Sequence, residues 1–195
     1  MARKATPKPT PSDKLLDAAL ALAAEKPWPR VTMPEIAASA GLSLAEAYDA
    51  FPCRAGLIAA LVHRHDRLML QGDDPSLAEE SRRDRLFDAI MRRFEAMRPH
   101  KAALKSMASG AVRDLDTIFA AGPALLTSAK WMLRAAGIPA DGPIGFIRAK
   151  AVLAIYAAAA RAFMRDDSED LASTMATLDK ALKRAGGVLG GNSSV

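Results

Sequence analysis

Two helix-start signals stand eleven residues apart in the first third of the chain, and they constrain the fold more than any other feature. Thr32 is followed three residues later by Glu35, and Ser43 by Glu46. Each pair has the form of a capping box: the hydroxyl takes the N–H of the third helical residue, and the acid reaches back to the cap's own N–H. Between them lies Gly41, a residue suited to the left-handed turn that ends many helices. That spacing leaves room for two short helices and a turn of a few residues, the helix-turn-helix layout. Ile36, Ala37 and Ala40 on the first helix, Leu42 in the turn, and Ala47 and Tyr48 on the second are placed to share one small core.

The flanking sequence extends this pattern. Ser12 is expected to cap a preceding helix, with Asp13 in its first turn and Leu15, Ala19 and Leu22 at helical spacing to about Glu25. Pro27 and Pro29 end that helix, and Pro52 separates the second helix of the motif from a fourth, about 54–70. Alanine dominates many later stretches, aromatics make up 5%, and β-branched residues are few, so helices are favoured throughout. After a break at Gly72–Pro75, apolar stripes predict helices over 83–97, 100–109, 112–120, 123–136, about 143–165 and 169–185, with an interruption at Gly122-Pro123. The reading is an all-α protein of about nine helices. A basic tail occupies 1–11, a helix-turn-helix domain with a linking fourth helix 12–71, a helical ligand-binding and dimerisation bundle 72–188, and a glycine-rich tail 189–195.

Charge and chemistry narrow the function. The net charge of +5 suggests an acidic partner, yet the excess is not in the motif. Residues 1–71 hold nine bases and seven acids, and three of those bases, Arg3, Lys4 and Lys8, lie in the tail. A DNA footprint must therefore come from placement. The single cysteine, Cys53, excludes an internal disulfide and fits a reducing cytoplasm. No integral membrane segment is expected, because Lys150, Arg161 and Arg165 interrupt the best apolar run near Leu153–Met164. Catalytic, cofactor and metal sites are not expected: no nucleophile elbow, phosphate loop or zinc spacing appears, and His63 and His65 point different ways on one helix.

The stretch VTMPEIAASAGLSLAEAYDAFPCRAGLIAAL (Val31–Leu61) resembles the DNA-binding signature of the TetR family, at Val31, Thr32, Ile36, Ala37, Ala40–Ser43, Tyr48, Phe51, Pro52 and Leu57. The resemblance implies a homodimer whose paired motifs bind a palindromic operator in double-stranded DNA, controlled by a small apolar effector, and repressor rather than activator. It departs from the family pattern at Ala45, Glu46, Ala50 and Arg54, where glycine, threonine, an aromatic or histidine, and lysine are usual. Glu46 and Asp49 put negative charge on the recognition helix. A second resemblance, over AIYAAAARAFMRDDSEDLASTMATLDKAL (Ala154–Leu182) and RLFDAIMRRFEAMRPHKAAL (Arg85–Leu104), is to the lipid-binding accessory protein of coenzyme Q biosynthesis. That family has the same fold, and the alternative it implies is a lipid carrier without DNA binding.

The candidate residues follow. Thr32, Ser43, Leu44, Ala45, Glu46, Tyr48, Asp49 and Arg54 are assigned to DNA, with Ser43, Tyr48 and Arg54 toward phosphate. The Met- and Phe-rich set Met91, Phe94, Met97, Met107, Phe119, Trp131, Met132 and Phe146 is assigned to an apolar ligand pocket. Leu153, Ala157 and Ala160 on one late helix, and Leu171, Met175, Leu178 and Leu182 on the last, are assigned to a four-helix dimer interface.

Overall fold

A computed structural model describes residues 9–72, 79–111 and 115–189, without the side chains of 111 and 115–120. Among the described residues there are nine α-helices and no strand: α1 (Pro11–Glu25), α2 (Met33–Ser39), α3 (Leu44–Ala50), α4 (Arg54–Gln71), α5 (Arg82–Met97), α6 (Lys101–Ala111), α7 (Leu115–Ala135), α8 (Gly142–Phe163) and α9 (Ala172–Leu189). Single 3₁₀ turns occupy Trp28–Arg30 and Arg98–His100. Of the tails assigned to 1–11 and 189–195, residues 1–8 and 190–195 lie outside the described residues, as do Asp73, Asp74 and Pro75; Pro11 opens α1 and Leu189 ends α9.

The chain forms two compact units. The first holds the chain through Leu61 together with Ala102–Ala120; the second holds Val62–Lys101 and the chain from Ala121. The sequence placed the boundary at Gly72, where α4 does stop. Contacts instead group the last turns of α4 with the second unit and most of α6 with the first. Nothing local in the sequence marks the change within α4, which falls inside an unbroken helix, whereas the other falls at the first residue of α6.

In the first unit α1 is capped by Thr10 rather than Ser12. Asp13 N–H donates to Thr10 Oγ1 at 3.2 Å, and the Asp13 carboxylate takes the Thr10 N–H at 3.2 Å. Pro11 fixes the reason: its φ suits the first helical position, so the cap falls on the residue before it. Leu15, Leu16, Ala19 and Leu20 of α1 pack on Trp28, Val31, Ile36, Ala37, Ala47, Leu57 and Leu61 in one core. Met107 of α6 belongs to the same core, and Ser106 Oγ accepts the Trp28 N–H at 2.9 Å. Gly110 lets α6 approach closely: a β-carbon there would stand 3.1 Å from Pro29 Cδ and 3.2 Å from Trp28 Cδ1.

The second unit is built on α8 and α9 packed along their length, with α5 against both. α8 buries Ala149, Val152, Ile155, Ala159 and Phe163, and α9 buries Thr174, Leu178 and Leu182. Phe94 of α5 stacks on Tyr156 and Phe163, with ring centroids 5.1 and 5.0 Å away. The turn from α8 to α9 is fastened by Asp166, whose Oδ2 accepts from Thr174 N and Thr174 Oγ1, both at 2.7 Å. Burial opposes the Asp166 charge, but the hydrogen bonds from Ser168 and Thr174 outweigh it and lower its pKa to about 2.

Three readings change. Gly122-Pro123 does not divide a helix pair: α7 runs unbroken with Pro123 inside it, a position where the missing N–H usually disrupts the ladder. α9 continues through Gly186 and Gly187 to Leu189 instead of fraying at 185. α8 is long and apolar enough, by length and composition, to cross a bilayer, with mean hydropathy 1.4 over its best window. It begins at Gly142, further upstream than the apolar run near 153–164, so its charges are spread along 22 residues. In the fold one face of it is core.

Candidate nucleic-acid interface

Both capping boxes form as the sequence implies. Thr32 Oγ1 and Ser43 Oγ accept the Glu35 and Glu46 N–H groups at 3.4 and 3.2 Å. The two carboxylates return to the Thr32 and Ser43 N–H groups at 2.9 and 2.8 Å. Gly41 has φ +65°, and Leu42 N–H donates to Ala37 O at 2.9 Å, closing α2 as a glycine cap should. Ile36, Ala37 and Ala47 are buried and fix the turn; Leu42 and Ala40 pack at its edge. Tyr48, expected in this core, points outward and is 65% exposed. The 3.6-residue period places 47 inward, so its neighbour at 48 faces away.

These bonds reassign several of the proposed DNA contacts. The hydroxyls of Thr32 and Ser43 also donate, to Glu35 Oε2 at 2.9 Å and Glu46 Oε2 at 2.7 Å. Neither has a proton left for phosphate while its box is closed. Lys26 beside Glu35 at 2.5 Å, with the Thr32 bonds, lowers the Glu35 pKa to about 2. The Ser43 bonds lower that of Glu46. Arg54 is held inside the unit: Nη1 donates to Trp28 O at 3.0 Å and Val31 O at 2.8 Å, and the guanidinium lies 5.4 Å from the Trp28 ring centre. The planar fork that suits phosphate is here a clamp on the turn between α1 and α2.

What remains presented is one face of α3. Leu44, Ala45, Tyr48 and Asp49 are all exposed and form two rows at i, i+4 spacing, Leu44 with Tyr48 and Ala45 with Asp49. With Met33, Pro34 and Phe51 they border a shallow, mainly apolar groove between α2 and α3. Asp49 has no hydrogen bond or ion pair among the described residues. Exposed bases of the same unit, among the described residues, are Lys14 on α1, near enough to Glu46 to act on its charge, Arg30 before α2, and Lys105 on α6.

The other two sets of candidate residues are dispersed. Met91, Phe94, Met97 and Met132 are buried in the second unit, but Met107 is buried in the core of the first. Trp131 and Phe146 are each 42% exposed, capped by Arg134 and Lys150 at 5.0 and 4.6 Å from the ring centres. The side chain of Phe119 lies outside the described residues. The stripes are not free of charge either. Arg93, 2% exposed, pairs with Asp66, 4% exposed, and its Nε donates to Tyr156 Oη at 3.2 Å. Ser128 Oγ donates to Asp66 Oδ1 at 2.6 Å, and Asp66 Oδ2 has no hydrogen-bond partner among the described residues. A buried arginine was not legible because the period of α5 gives it the same register as its apolar neighbours.

Of the interface residues, Leu171, Leu178 and Leu182 are buried within the chain, against α8, and are not available to a second copy. Leu171 turns inward from a left-handed backbone, φ 55°, just before α9. Leu153, Ala160 and Met175 are half-buried, and Ala157 is exposed. The apolar surface left over is on the other side of α8, where Ile144 and Ile147 are 63% and 57% exposed and Ala154 continues the row.

A capped helix-turn-helix at the head of an all-helical scaffold is the class of fold that these elements define. Residues 15–61 match the model of the bacterial regulatory proteins of the tetR family. The fold agrees over nearly the whole length. It superposes on the TetR transcriptional regulator of Nitrosomonas europaea ATCC 19718 with a TM-score of 0.73 at 24% identity, covering 90% of this chain and 97% of that one. A TetR transcriptional regulator of Rhodococcus sp. RHA1 gives 0.66 at 22% identity, covering 93% and 96%. A tetR-family regulator of Streptomyces coelicolor gives 0.58 at 17%, covering 94% and 88%. No curated protein sequence matches the chain.

Proposed function

We propose that the protein is a dimeric, ligand-responsive repressor that binds operator DNA through α2 and α3. The observation that carries this reading is the family-matched motif with its second helix turned outward along the whole Leu44–Asp49 face. Since the Thr32 and Ser43 hydroxyls are occupied and Arg54 Nη1 is held by Trp28 and Val31, the phosphate-side donors we assign are the exposed Tyr48 hydroxyl and the Lys14 and Arg30 side chains. Two subunits place two such faces on a palindromic operator, and the Ile144–Ile147–Ala154 row of α8 is the surface that a second copy would cover.

Control would act through α4. This helix runs unbroken from Arg54, clamped in the first unit, to Asp66 in the buried network of the second. An effector that rearranges the network biases α4 and shifts the population between DNA-competent and incompetent states, provided it binds the two unequally.

The test is binding to genomic duplex fragments at two salt concentrations, with wild type, Tyr48→Phe and a Lys14→Ala/Arg30→Ala double variant. Binding that falls with salt, and falls further in the variants without loss of helicity, supports the reading. No binding above background at low salt rejects it. One observation favours the second reading, a lipid carrier without DNA binding: α3 carries two carboxylates and no basic side chain. That reading requires absent DNA binding together with an apolar molecule extracted from the purified protein.

A further inference from the structure

We propose, resting on the DNA-binding reading above, that α3 recognises its operator through cytosine amino groups and thymine methyl groups, without a guanine contact of its own. With the Tyr48 hydroxyl assigned to phosphate, the exposed face of α3 leaves two kinds of chemistry for the base edges. Leu44 and Ala45 offer hydrocarbon, and Asp49 offers a carboxylate that can only accept. Glu46 offers the same but is drawn into its capping box, with Oε2 taken by Ser43 N and Oγ. Arginine or lysine, which read guanine O6 and N7, and asparagine or glutamine, which read adenine N6 and N7, are absent from the helix.

The major groove offers a matching partner for what is left. A carboxylate needs a donor, and the groove presents two: cytosine N4 and adenine N6. Adenine places the N7 acceptor beside its amino group, where it repels a second acceptor. Cytosine has no acceptor of its own at that edge, so Asp49 favours cytosine. The remaining apolar side chains match thymine, the one base that presents a methyl group there. α3 is seven residues long, about 10 Å, which spans about three base steps. Ala45 and Asp49 lie one turn apart in the same row, so the cytosine and a thymine fall within about two base pairs of each other in each half-site.

The experiment is selection of binding duplexes from a random library by the full-length protein at low salt, followed by two substitutions. In the selected duplex, deoxyuridine replaces thymine and removes only the methyl. In the protein, Asp49→Asn replaces an acceptor with the donor–acceptor pair that suits adenine. Loss of about fourfold in affinity per contacted methyl is expected, with a change of the preferred base from cytosine to adenine at one position per half-site in the variant. Circular dichroism should be unchanged, because Asp49 is exposed and unpartnered among the described residues. A selected site that is indifferent to uridine, or whose preferences survive Asp49→Asn, overturns this inference and leaves the DNA-binding reading intact. Failure to select any sequence overturns both.

Discussion

Arg54 stands at a position where the family resemblance points to phosphate, and the structure gives it a different task that a stability measurement can separate. Truncation to alanine removes an ionised donor from Trp28 O and Val31 O and uncovers one face of the Trp28 ring. A hydrogen bond from a charged group contributes about 1.5–3 kcal/mol, and a partly desolvated cation–π contact adds about 1 kcal/mol. Because one nitrogen serves both carbonyls and the group is only partly buried, the expected loss is about 3 kcal/mol. In a chain of this size that corresponds to a fall in Tm of about 6–12 °C. Arg54→Lys keeps the charge but loses the planar fork over the ring, so an intermediate loss is expected. Trp28 is fully buried in the first unit, while Trp131 is at the surface of the second. Urea unfolding followed by fluorescence in a Trp131→Phe background therefore reports the first unit alone. If Arg54→Ala unfolds at the wild-type midpoint yet loses DNA binding, the clamp is energetically idle and the arginine is a direct DNA contact.

Three further outcomes are expected. The Asp166 pKa is lowered from 3.8 to about 2, so its stabilisation is complete above pH 3.8 and disappears as pH falls toward 2; about 2 kcal/mol is at stake. Asp166→Asn should lower the urea midpoint at pH 7, and the gap from wild type should narrow at pH 2.5; an equal gap at both pH values contradicts the assignment. Asp66→Asn strands the buried Arg93 charge and should cost about 3 kcal/mol or more by thermal unfolding; an unchanged Tm would show that the pair is not sealed from water. Ile144→Lys with Ile147→Lys should convert a dimer to a monomer in sedimentation without altering helicity, whereas a persisting dimer would place the interface elsewhere.

The first third of the chain was legible because its signals are local. A hydroxyl, an acid three residues on, and a glycine determine where a helix starts and stops without reference to distant residues, and α2 and α3 began where their boxes placed them. The misplaced cap of α1 is a near miss of the same rule: Thr10, with Asp13 as its box partner, takes the N-cap position that was given to Ser12. Side-chain commitments were less legible. Arg54 finds its carbonyl partners 23 and 26 residues earlier, and no local pattern announces such a bond. The C-terminal helices failed differently. A hydrophobic stripe says that a face is covered, not by what, so the Leu171–Leu182 edge was assigned to a dimer seam while Leu171, Leu178 and Leu182 are buried within the chain. α8 resolves the choice. It is apolar around much of its circumference, so one face can pack on α9 while Ile144 and Ile147 remain outside.

The polar chemistry of the first unit has a consequence for how DNA can be held. The boxes that define α2 and α3 consume the hydroxyls at their starts, and the clamp on Trp28 and Val31 draws Nη1 of the Arg54 guanidinium inward. Stability of the motif and affinity for phosphate thus draw on the same side chains, and folding takes them first. One motif is left with few phosphate donors and with carboxylates on its reading helix, which repel the backbone on either side of the groove. Such a module is poorly suited to sequence-independent binding by charge, and a productive complex has to gain its free energy from base edges and from two motifs acting together. In the proposed dimer, linking the motifs raises the effective concentration of the second once the first is bound, and on that reading the exposed row on α8 compensates for the sparse charge on α3.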